Sequence, residues 1–175
     1  MKRTLQHKYF KLFILLAVMF WAIWQFTEGN TGNGIFLLLL ALIVLFFYVR
    51  NEYLLMSMLR IRKEDFEGAE RWLLKLQNPE EALIKPQLAY YNLLFGMIYS
   101  RKNVHQAEKY FRKALKTGLI LKQDQALAKM SLAGVLMAKR RKREAINLLN
   151  EAKRLDKKGV LKEQIRMMKQ QLKRI

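Results

Sequence analysis

Cysteine is missing from the chain, and with it go disulfides, thiolate metal sites and cysteine nucleophiles. Its absence fits a reducing compartment without requiring one. Histidine is scarce: His7 and His105 are the only imidazoles, and His105 has no second His, Cys or isolated carboxylate at metal-ligand spacing. Proline occurs only at Pro79 and Pro86, so the stretch between Ile35 and Gly68 holds neither Gly nor Pro to interrupt a helix. Acidic residues are few, 14 against 33 Lys and Arg, for a formal net charge of +19. That excess favours an anionic neighbour, be it lipid headgroups, nucleic acid or an acidic protein.

No constellation suggests catalysis. Glu80-Glu81 follow Pro79 and read as the first turn of a helix, favoured there by its dipole. Gly29-Asn30-Thr31-Gly32-Asn33-Gly34 lacks the Lys and the preceding strand of a phosphate loop. No enzyme activity, cofactor, metal or small-molecule substrate is expected.

What is present lies in blocks. The chain is 52% apolar and 27% charged, and the two populations are separated. Between Leu12 and Val49 the only charged residue is Glu28, whereas residues 122–175 carry sixteen bases against five acids. The 175 residues leave room for one membrane hairpin and one modest domain.

The hairpin is read from two apolar runs, Leu12 to Phe26 and Ile35 to Val49, extended by flanking residues to spans of about 9–27 and 33–50. Between them Thr27 to Gly34 is made of turn formers without Lys or Arg. Lys2, Arg3, Lys8 and Lys11 precede the first run, and Arg50, Arg60, Arg62 and Lys63 follow the second. The positive-inside rule then puts both termini in the cytoplasm, at a plasma or inner membrane. The alternative is a pair of buried core helices in a soluble protein, for which the rest of the chain offers little cover.

Residues 51–158 repeat themselves at a spacing of 38. Ala69, Ala107 and Ala145 align, as do Leu73, Phe111 and Leu149, and Leu76, Ala114 and Ala152. Steps of +4 and +7 put each set on one helical face. Leu94, Gly96 and Tyr99, then Leu132, Ala133 and Leu136, supply the preceding helices. The pattern resembles the tetratricopeptide repeat, over about Asn51 to Lys158. The resemblance implies an all-α solenoid of three helix pairs that recruits a protein partner. A generic stack of helical hairpins is the alternative, with nearly the same architecture.

The family's period is 34 residues, so the longer one here predicts longer links between copies, one of them marked by Pro79 and Pro86. The first helix of copy one is expected to continue from the second apolar run as one helix. Residues 159–175, with Leu161, Ile165, Met168 and Leu172 on one stripe, form an amphipathic cap.

Two candidate binding sites emerge. By resemblance, the groove-lining positions are Leu54, Met58, Tyr90, Leu93, Met97, Met130 and Met137, suited to an apolar or amphipathic peptide; core packing explains the same residues. The other site is the run Lys139-Arg140-Arg141-Lys142-Arg143, followed by Lys153, Arg154, Lys157 and Lys158. It is either a solvated turn that helps orient the protein or a site for a polyanion such as ribosomal RNA or anionic lipid. No aromatic residue follows Phe111 to stack on bases.

Overall fold

The computed structural model describes the backbone of residues 2–49 and 51–174 and the side chains of 13–43, 45 and 51–174. Within those residues the chain is all α, with ten helices and no strand. It divides into two units, Met1–Leu55 and Met56–Ile175, each with its own internal packing.

In the first unit α1 (Lys2–Thr27) and α2 (Thr31–Val49) form a helical hairpin. The turn is tighter than the sequence suggests, because Gly29 takes φ +79 and the Asn30 amide donates to the Gln25 carbonyl at 3.0 Å, closing α1 in the left-handed manner glycine permits. Thr31 to Gly34 consequently belong to α2. A Cβ on Gly34 would lie 2.8 Å from the Phe26 ring, so a side chain there would make that exposed ring turn aside. Ala22 and Ala41 are buried, while Phe13, Phe20 and Phe36 are 71%, 70% and 65% exposed.

Among the described residues no helix is long and apolar enough to cross a membrane. α2 opens on Thr31-Gly32-Asn33-Gly34, and its side chains at 44 and 46–49 lie outside the described set. What remains is shorter than the roughly 20 apolar residues of a span. The expected junction also differs: α2 ends at Val49 and α3 (Glu52–Arg62) begins afresh. The Asn51 side chain accepts from the Tyr53 amide at 3.0 Å, an Asx contact that starts a helix rather than continuing one.

The second unit continues with α4 (Phe66–Leu74), the single turn α5 (Pro79–Ala82), α6 (Lys85–Lys102), α7 (Val104–Thr117), α8 (Lys122–Ala138), α9 (Lys142–Leu155) and α10 (Lys162–Arg174). α6 pairs with α7 and α8 with α9; α4 packs on α6, α7 on α8, and α10 against α9 and α8. The aligned residues form the centre of this packing. Ala69, Ala107 and Ala145, with Leu73, Phe111 and Leu149, have no exposed surface. Gly96 lets α6 and α7 close, since a Cβ there would lie 2.6 Å from the Phe111 ring.

The second helices also begin alike. Asp65 caps α4 by accepting from the Gly68 amide, and Asn103 caps α7 by accepting from His105 and Gln106, each such cap contributing about 1 kcal/mol. Arg141 holds the same place before α9 and caps nothing.

The links are unequal. Residues 75–84 join α4 to α6 and contain α5, whereas only 118–121 join α7 to α8, so the long period there is taken up in long helices. At the C-terminal end Asp156 accepts from the Val160 and Leu161 amides at 3.1 and 2.7 Å. This turns the chain into α10, which buries Ile165 and Leu172 over the last pair as the cap predicts.

Candidate functional site

The basic run does not form a single surface. Glu108, on α7, is buried, with its side chain only 11% exposed. Lys139 Nζ lies 2.6 Å from one carboxylate oxygen, while Arg141 and Arg112 reach the other at 2.7 and 2.9 Å. Lys139 and Arg141 therefore clamp the α8–α9 turn onto α7. Arg141 also pairs with Glu144 at 2.5 Å, and this pairing is what the missing cap is exchanged for. One copy earlier Glu70, one residue after Ala69, receives Lys102 at 2.5 Å. The acid thus recurs in the 38-residue register, following each of the first two alanines, whereas its bases shift by one position: Lys102 aligns with Arg140, and Glu108 takes the flanking Lys139 and Arg141 instead.

Burial pushes the Glu108 carboxyl up, but hydrogen bonds from Lys139 and Arg112 and the charge of Arg141 outweigh it, and the pKa falls to about 2 from 4.5. A carboxylate depressed on folding contributes stability that is complete above its unfolded pKa and disappears as pH drops through the folded value. The window is therefore pH 4.5 down to about 2. Glu108→Gln should cost up to about 3 kcal/mol at pH 7, and the difference from wild type should shrink as pH falls through that window. Thermal melts at pH 7 and pH 3 measure it; an unchanged difference would sink the clamp.

The remaining bases are free. Arg140, Lys142, Arg143, Lys153, Arg154, Lys157 and Lys158 are exposed, and no acid lies within 4.0 Å of them among the described residues. The nearby acids are engaged: Glu144 with Arg141 and Arg112, Glu151 with Lys129, and Asp156 with backbone amides. Arg140, at φ 58, stands at the tip of the turn. His105 is exposed, its Nδ1 3.2 Å from Lys139 Nζ.

An open groove of about 430 Å³ lies along α6 and α8, lined by Ile61, Phe66, Met97, Ser100, Arg101, Val104, Ser131, Gly134 and Val135, among others. Of the positions carried over by resemblance, Met97 lines it. Leu54, Leu93, Met130 and Met137 are buried, and Met58 and Tyr90 are half-buried; the Tyr90 hydroxyl donates to Asp124 on α8. In α6 the groove-facing Met97, Ser100 and Arg101 lie nearer the C-terminal end than Tyr90 and Leu93, and in α8 the groove is lined by Ser131, Gly134 and Val135 rather than by Met130 and Met137. Arg101 stands 4.2 Å over the Phe66 ring, a contact the sequence alone did not suggest.

No family model, curated protein or solved structure matches the chain.

Proposed function

We propose that the protein is a non-enzymatic docking scaffold, held at the cytoplasmic face of a plasma or inner membrane by α1 and α2 and offering a tetratricopeptide-like array to a protein partner. The observation that carries this reading is the outward apolar surface of the hairpin, where large residues such as Phe13, Phe20, Trp21 and Phe36 stand exposed. Side chains of that kind gain about 1.5–3 kcal/mol each when removed from water, and a contiguous apolar surface on this scale marks a membrane or protein contact. The open groove beside Met97 and Arg101 supplies a place for a bound segment. A reporter fused after Ile175 is expected to be active only on the cytoplasmic side. Access to it from outside would overturn the topology and the setting of the array.

A second reading rests on the free bases around α9. With the neighbouring acids engaged, their mutual repulsion is screened by water and salt alone, and a bound polyanion would relieve it further. Ribosomal RNA or anionic lipid fits, through phosphate contact alone.

A further inference from the structure

A second groove, of about 450 Å³, lies between α7 and the α8–α9 pair. Its apolar lining is Leu115, Leu119, Leu132 and Leu148, and Arg112, Lys129 and Glu151 carry the charge beside it. The repeat itself indicates what this space lacks. One copy earlier the corresponding interface is filled by rings: Phe95 and Tyr99 stack on Tyr110 at 5.1 and 5.5 Å between centroids, and Tyr91 meets Phe95 edge-on at 4.8 Å.

Moving 38 residues along, Tyr91 becomes Lys129 and Tyr110 becomes Leu148, both in the groove's lining, while Phe95 and Tyr99 become Ala133 and Met137, which are buried and do not line it. None of the four rings is kept, and the two positions that face the groove carry a cationic and an aliphatic side chain where the first copy has tyrosines. The covering element is lost too. α5 lies beside the first interface, fastened by Lys113 to Glu80 at 2.6 Å, whereas the four-residue link 118–121 leaves no room for such a turn.

We infer that this groove is a slot for an aromatic side chain, phenol or indole, presented by a protein partner. Its volume lies within the roughly 300–1,000 Å³ of ligand clefts, and its shape follows from a fold that elsewhere packs tyrosine in the same register. Arg112 and Lys129 stand at its edge, where a ring face attracts cations more strongly than an aliphatic group of equal size. Both retain carboxylate partners, Arg112 with Glu108 and Lys129 with Glu151, so the slot is not a site for a free anion. That the ring comes from a partner rests on the docking reading above; that the slot takes a ring does not.

The test uses the full-length protein in nanodiscs, with labelled methyl groups and p-cresol as the probe. Intermolecular NOEs from the ring to Leu115, Leu119 and Leu148 are expected to appear and saturate. 4-Methylcyclohexanol, similar in shape but without a π face, should bind about two- to fivefold more weakly. Leu148→Tyr restores the ring of Tyr110 in register and should abolish the NOEs while raising the melting temperature. Absence of NOEs in wild type overturns the slot, as does undiminished binding to Leu148→Tyr; equal affinity for the two probes overturns its aromatic preference. Should Leu148→Tyr fail to fold, the wild-type NOEs and the two-probe comparison still decide. The topology reporter tests the membrane setting separately.

Discussion

Ala107→Arg or Ala145→Arg is expected to unfold the helical array, whereas Lys113→Glu leaves it folded. Both alanines are fully buried on the face that α7 and α9 turn toward their partner helices. Arginine there must either bury a charge without a partner, at several kcal/mol, or force the helices apart. Either cost is comparable with the about 5–15 kcal/mol that holds a whole domain together. Lys113 is exposed and its pair with Glu80 has both members largely in solvent, so reversing its charge should cost less than about 1 kcal/mol. Hydrogen exchange of the full-length protein separates the outcomes, since amide protection across α6 to α9 should collapse in the arginine variants and persist in Lys113→Glu. Equal, small losses in all three would mean that the 38-residue register is an accident of the sequence.

The second large effect concerns the free bases. Replacing Arg140, Lys142, Arg143, Lys153, Arg154, Lys157 and Lys158 by Gln should leave the fold intact, because none of them makes an ion pair among the described residues. Lys139 and Arg141 must stay, since removing them strands Glu108 and confuses instability with lost binding. If the surface holds a polyanion, wild type should lose about 10³-fold or more in affinity between 50 and 200 mM salt. The variant should start weak and respond little to salt. Co-sedimentation with ribosomes and with anionic vesicles at the two salt concentrations measures both. Indistinguishable binding of the two proteins would eliminate the basic surface as a site and leave the grooves as the candidates.

Much of this architecture is legible in the residue order because it rests on local rules. Steps of +4 and +7 from Ala69, Ala107 and Ala145 place small and large residues on one helical face whatever lies opposite, and all of those positions are buried. The stripe Leu161, Ile165, Met168 and Leu172 marks the last helix on the same grounds, and the turn formers after Phe26 mark the hairpin. The break at Asn51 was harder to see: an uninterrupted run of helix formers says nothing about a side chain that bonds its own backbone two residues on.

The sequence by itself determined the helical class, the register of the repeat, the segregation of apolar and basic blocks, and the lack of thiol chemistry. These depend on composition and on spacings within a single helix. Only the tertiary structure divided the basic run into clamp and free surface, since the acid that claims Lys139 and Arg141 lies on α7, a whole helix away along the chain. It likewise decided which methionines face a groove and which fill the core, because a few degrees of helix rotation settle that and no single-helix period encodes it. The unfilled space beneath Arg112 and Lys129 belongs to the same class of fact: it exists because two copies of one motif pack on differently sized neighbours, and packing is a property of pairs of helices.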